Sequence, residues 1–168
     1  DRNSTNNEAG MWPLIHKQLP KSNGLVFITE PLTEAMQLAG SITGHFSIAI
    51  NKRDVDIGYN FYAISPEGEV VFLSYYIGRA SYAHDMSVRK LLTPGKKTQV
   101  PIVNARMTAK LLPPGSRLVM VLDVNKNRHA QVNMGTGKDV SDETSADGKE
   151  PLQIKWFSDS KLTIPMKP

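Results

Sequence analysis

The sequence predicts an all-β domain, a sandwich or barrel of short strands. Three observations carry that prediction. Extended segments with period-two alternation recur along the 168 residues, roughly eight to ten of them. Turns rich in Gly and Pro separate them, most plainly Pro66-Glu67-Gly68, Pro94-Gly95 and Pro113-Pro114-Gly115. Helix signals are confined to one short segment, and nothing alternates strand with helix as a parallel α/β sheet requires.

The elements follow in order. Residues 1–10 are polar and read as a linker, part of a leader over 1–20 that predicts a further segment ahead of Asp1; a single sandwich domain follows over 21–168. Met11-Trp12-Pro13-Leu14-Ile15 is an apolar knot able to dock on the body. Leu25-Val26-Phe27-Ile28-Thr29 is a strand stopped by Glu30-Pro31. The run from Met36 to Gly40 favours a strand over a helix, and Phe46, Ile48 and Ile50 alternate in the next one.

Ile57, Tyr59, Phe61 and Ala63, then Val70, Phe72 and Ser74, alternate on either side of Pro66-Glu67-Gly68 and predict a β-hairpin. Asp85 to Leu92 is the helix candidate: Asp85 stands near its start, Arg89-Lys90 near its end, and Pro94-Gly95 stops it. Val100 to Leu112 alternates as one strand, with Val103, Ala105, Met107, Ala109 and Leu111 on one face. Leu118 to Val124 is apolar on both faces and reads as buried on both. A polar loop over 126–151 precedes two last strands, near Leu152 to Phe157 and Lys161 to Ile164.

Composition narrows the function. No cysteine is present, so neither a disulfide framework nor a thiolate metal site is expected, and this alone does not locate the protein. The formal charge of +4 is scattered over short clusters such as Lys52-Arg53 and Lys96-Lys97, which argues against a nucleic-acid arm. No apolar run approaches the roughly 18 residues of a membrane-spanning helix, and no targeting segment is legible, so localisation stays open.

Chemistry-bearing residues are few. Asp54 and Asp56 flank Val55, so an extended strand turns both carboxylates to one side. Such a pair suits Ca²⁺ or acid–base work, or else accepts backbone N–H bonds and pairs with Arg79 across the hairpin. The structural alternative is favoured. Ser81, His84 and Asp85 are too close in sequence for the imidazole–carboxylate geometry of a triad. Gly40-Ser41-Ile42-Thr43-Gly44 has the wrong spacing for a Gly-x-Ser-x-Gly elbow. His16, His45, His84 and His129 are far apart, and Asp139, Asp142, Glu143, Asp147 and Glu150 fit no EF-hand, so no metal and no cofactor is expected. That acidic stretch reads as a mobile solvated loop. Tyr75, Tyr76, Tyr82, Trp12 and Trp156 invite a sugar-binding reading, against the plainer one of core or interface.

The ordered pieces resemble a known family. Val26 to Leu32 is similar to the strand and Ser/Thr-Glu-Pro-Leu turn that open the C-terminal β-domain of X-Pro dipeptidyl-peptidases, cocaine esterases and α-amino-acid ester hydrolases. Asp54 and Asp56 match its Asp-x-Asp, Pro66-Glu67-Gly68 its hairpin turn, and Arg79 the arginine closing the second strand. Pro114-Gly115-Ser116-Arg117-Leu118, Asn133-Met134-Gly135-Thr136-Gly137 and Ser160 to Pro165 follow in the family's order, so the resemblance covers roughly residues 24–166. Ser116 stands where the family usually has His, and the Phe-Pro often found after the next strand is replaced near Lys126-Asn127, which leaves the substrate class open.

The resemblance implies a jelly-roll β-sandwich of the galactose-binding-like type, with one or two short helices. It implies a non-catalytic domain that braces an upstream α/β-hydrolase domain of the same polypeptide and helps to wall its active site. The nucleophile would lie outside this chain, and a homo-oligomer is compatible. Asp54, Asp56, Arg79, Tyr82 and Arg117 are the structural or interface candidates; none is expected to be catalytic. The alternative is a free-standing carbohydrate-binding or interaction module on the same fold.

Overall fold

A computed structural model describes residues 15–125 and 130–168. The Met11-Trp12 knot, residues 1–14 of the leader, the Lys126-Asn127 replacement and His129 lie outside the described residues. The strands are β1 (Ile15–His16), β2 (Leu25–Ile28), β3 (Met36–Ser41), β4 (Thr43–Ile50), β5 (Asp56–Ile64), β6 (Val70–Arg79), β7 (Thr98–Pro101), β8 (Met107–Leu112), β9 (Arg117–Val124), β10 (Ile154–Trp156), β11 (Lys161–Thr163) and β12 (Met166–Lys167). All pairings are antiparallel.

One layer is a five-stranded sheet in the order β1-β6-β5-β9-β2. The other is a kinked ribbon. Its centre is β3 followed by β4; β8 and β7 pair with them along one side, and β12, β11 and β10 along the other. Gly40 and Gly44, at φ 139° and 134°, bracket the kink. A Cβ on Gly44 would stand 1.9 Å from the Lys161 carbonyl oxygen, so only glycine fits. The Gly-Ser-Ile-Thr-Gly pentapeptide is therefore a break between strands, with Ile42 buried in the core.

Alternation places the core. Ile57, Tyr59, Phe61 and Ala63 of β5 and Leu118, Met120 and Leu122 of β9 face Leu38, Phe46, Ile48 and Ile50 of the ribbon. Truncating one of these, Phe61→Ala for example, carries an expected cost of about 3–5 kcal/mol. The intervening side chains of β5 and β9 point to the sheet's other face. There Tyr62, Val70, Val119 and Val121 form a second, smaller cluster with Leu19 packed on it. Leu19 arrives because β1 and β2 sit on opposite edges of the sheet, so the chain between them must cross that face. Burial raises the Tyr62 phenol to about 12.

The predicted hairpin forms as β5 and β6, with a bulge: Phe61 faces Ser74 but Tyr62 faces Phe72. The bulge leaves Leu73 opposite no residue and turns it to the main core. β9 is buried on both faces from Leu118 to Leu122, as its composition predicts.

Two expectations are corrected. Asp85 to Leu92 is not a helix; the one short helical turn nearby is a 3₁₀ turn over Ala80–Tyr82. The Asp85 carboxylate accepts bonds from the backbone N–H and the hydroxyl of Ser87 and closes a local turn that does not propagate. Val100 to Leu112 is two strands. Asn104, at φ 55°, breaks it between β7 and β8, and the apolar face carrying Met107 and Leu111 looks outward, 80% and 67% exposed.

Candidate functional site: the aspartate–arginine cluster

The strongest polar constellation lies where β5 begins and β6 ends. Register sets Asp56 opposite Arg79. Arg79 Nε and Nη2 donate to the two carboxylate oxygens of Asp56 at 2.8 and 2.9 Å, a fork-on-fork pair. That bond is the main reason why the Arg79 guanidinium is held above its ordinary pKa. Asn133 Nδ2 adds a third donor to Asp56 at 2.9 Å.

Asp54 has no exposed surface and takes a different arginine. Its carboxylate accepts from the N–H groups of Val55 and Ser81 at 2.9 and 3.0 Å, from the Ser81 hydroxyl at 2.7 Å, and from Arg89 Nη2 at 3.2 Å. Arg89 also donates through Nη1 to the Gly137 carbonyl at 3.3 Å. The expected link to Arg79 across the hairpin thus holds for Asp56, while the direct partner of Asp54 is Arg89. The segment after the Asp85 turn is anchored the same way, by Lys90 N–H to the Ser81 carbonyl and Leu92 N–H to the Arg53 carbonyl.

The loop over 133–137 docks on this cluster. Arg53 N–H donates to the Gly135 carbonyl at 2.9 Å. Gly135 sits at φ 78°, and a Cβ there would stand 2.7 Å from the Asp54 carbonyl oxygen. Glu143 clasps the loop from behind, accepting from the N–H groups of Met134 and Thr136 at 2.6 and 2.9 Å and from the Thr136 hydroxyl at 2.5 Å. The acidic stretch is accordingly an ordered set of caps. Asp139 accepts from Ser141 N–H, and Asp147 from Thr144 N–H and Lys138 Nζ, which pulls the Asp147 carboxyl down to about 2.

Of the sequence-stated candidates, the structure brings Asp54, Asp56 and Arg79 together, with Tyr82 beside them at the mouth of a cleft that Arg79 also lines. Arg117 is elsewhere. It faces Ile64 at the far end of β5 and donates from Nη1 to the Thr29 carbonyl at 3.2 Å. Arg89 and Glu143 are the members that motif reading left out, and Asn133, which heads a matched loop, gains its partner Asp56 only in the structure.

The Ser81, His84 and Asp85 side chains each bond a different partner. Ser81 is buried, its hydroxyl bonded to Asp54; His84 Nε2 bonds the Gln99 carbonyl at 3.0 Å; Asp85 bonds Ser87. Among the described residues no three His, Asp or Glu side chains gather as a metal site. Of the aromatics named for a sugar-binding reading, Tyr76 is buried and stacks on Tyr59 inside the core, 5.5 Å apart.

A second feature is apolar. Leu25, Phe27 and Ile28 of the edge strand β2, with Phe46, Trp156 and Leu162, line an open cleft of about 520 Å³ between the two layers. All four residues of β2 are 43–55% exposed.

The comparisons agree with this picture. Residues 3–156 match the family model of the X-Pro dipeptidyl-peptidase C-terminal non-catalytic domain. Among solved structures, a selenomethionine-labelled α-amino acid ester hydrolase superposes with a TM-score of 0.74 at 20% identity, over 93% of this chain and 26% of that one. An aminopeptidase from a marine sediment Thaumarchaeota archaeon gives 0.71 at 22% identity, over 81% of this chain and 24% of that one. A CocE/NonD family hydrolase from Staphylococcus aureus gives 0.60 at 16% identity, over 86% and 30%. At these identities the likeness is one of fold, and the chain spans about a quarter to a third of each structure's length. No curated protein matches it. With a match running over nearly its whole length, the chain belongs to the X-Pro dipeptidyl-peptidase C-terminal non-catalytic domain family.

Proposed function

We propose that this chain is the bracing domain of a serine hydrolase acting on esters or X-Pro dipeptides, packed on an α/β-hydrolase domain that precedes it in the same polypeptide. In that arrangement the parent's serine attacks an ester or amide carbonyl to form an acyl-enzyme, while the β-sandwich supports the hydrolase domain and walls one side of the active-site cleft. The jelly-roll, galactose-binding-like form of the sandwich belongs to the same reading.

One observation carries it: the polar groups of the Asp54–Asp56 cluster bond to each other, while the apolar side chains of β2 and β8 face solvent. A site for chemistry would leave the carboxylates accessible and the surface polar. Here the carboxylates hold strands, and the unpartnered surface is the kind that a neighbouring domain covers.

The test is to express the parent's α/β-hydrolase domain with and without this chain. Together the two pieces should co-sediment, and the hydrolase domain should melt at a higher temperature than alone. A hydrolase domain whose melting and turnover are the same with and without the chain would refute the bracing role. Self-association of the isolated chain would instead assign the apolar surface to a homo-oligomer.

A further inference from the structure

The cleft beside Arg79 is a different object from the apolar cleft under β2. It holds about 490 Å³ and opens at the end of β6. This volume lies within the range of small-molecule sites. Its lining is part apolar, from Ile77, Met86 and Val103, and part polar, from Arg79, Tyr82 and Asn104.

Three facts distinguish this lining from an ordinary surface dent. The first is that the Arg79 guanidinium is fixed. Nε and Nη2 are taken by Asp56, and Nη1 bonds no other described residue, while the side chain keeps 26% of its exposure. The second is electrostatic. Asp54 and Asp56 are matched by Arg89 and Arg79, and both carboxylates take further donors, from Ser81 and Asn133. Both carboxylates are therefore matched by donors within the fold, and the guanidinium paired with Asp56 is also part of the cleft lining. The third is Asn104, the one non-glycine residue among those described with a positive φ, at 55°. Asn adopts this left-handed backbone readily, and the turn sets its side chain at the cleft wall. Its amide Nδ2 has only the Met86 thioether, 2.8 Å away, a weak acceptor.

We propose that this cleft binds a small amphipathic carboxylate: Arg79 Nη1, the Tyr82 phenol and the Asn104 amide take the carboxylate, and Ile77, Met86 and Val103 take its apolar stem. The donors are all of the kind that a planar anion accepts from, and the guanidinium is already oriented, so little rotamer entropy opposes binding. The proposal does not depend on the bracing role.

The test uses the full 168-residue chain, ¹⁵N-labelled, titrated with sodium hexanoate and separately with hexanamide. Hexanoate should produce saturable shifts at the amides of Gly78, Arg79, Tyr82 and Asn104. Hexanamide, which keeps the stem and loses the charge, should bind about tenfold more weakly. Arg79→Lys tests the fork but also loosens Asp56, so Tyr82→Phe serves as the second variant. It should weaken hexanoate about threefold with the melting temperature unchanged. Equal binding of acid and amide, shifts mapping only to the β2 cleft, no saturation, or full affinity in Tyr82→Phe would each overturn the assignment.

Discussion

The two ends of this sandwich solve opposite problems. At the Asp54–Asp56 end, charged groups are taken out of water; both oxygens of Asp54 and Oδ1 of Asp56 meet two donors each, and Asp56 Oδ2 meets Arg79 Nη2. At the β2 end, apolar side chains stay in water, and the sheet ends on a strand with one free edge. A lone charge pair contributes little net stability when buried, but removing one partner is costly. The polar end is thus a latch whose members depend on each other. The apolar end is held by the β2–β9 ladder and leaves its side chains open to solvent. The same chain keeps its rigidity and its contact surface apart.

Substitutions can break this contrast. Asp54→Ala should have the largest effect, about 3–5 kcal/mol, because it leaves Arg89 and two inward N–H groups without their acceptor; urea unfolding measures it. Arg79 is partly exposed, so Arg79→Met should cost less, about 1–3 kcal/mol. A double-mutant cycle with Asp56→Ala should then show coupling, since the two side chains form one pair.

Alkali acts on the sheet between the two ends and supplies an internal reference. The Tyr62 phenol titrates near 12 when folded, above its ordinary 10. The sign follows from that rise: the folded state favours the protonated phenol, so this stability is complete below pH 10 and is lost as pH climbs through 12. Tyr62→Phe should flatten the alkaline fall by about 1–2 kcal/mol. At the other end Phe27→Ser, on the exposed edge strand, should move stability by less than about 1 kcal/mol. Its effect should appear in docking to the hydrolase domain, read by sedimentation.

The sequence made the sheets legible wherever alternation and turn chemistry agreed. β5, β6 and β9 carry their burial pattern in the order of their residues, and Pro66-Glu67-Gly68 marks the reversal. It misled where a local signal met a distant partner. Arg89-Lys90 resembles a basic helix end, yet Arg89 is drawn to Asp54, 35 residues away. The alternation from Val103 to Leu111 looks like a core face, yet β8 turns Met107 and Leu111 to solvent. Within the cluster, Asp54, Asp56 and Arg79 were readable because hairpin register joins them. Asn133 meets Asp56 across 77 residues, and the clasp by Glu143 resembled only a charged loop. No periodicity encodes a loop folding back onto a strand end, so those partners emerge only in three dimensions.

Ser81 and its neighbours bond to one another within the fold, and they are expected to do no chemistry. The most direct measurement is turnover of p-nitrophenyl acetate and of an Xaa-Pro-anilide by the purified chain, beside Ser81→Ala. The expected result is the uncatalysed rate for both proteins, with Ser81→Ala less stable because Asp54 loses its hydroxyl donor. Turnover above that rate that disappears in Ser81→Ala would contradict the account.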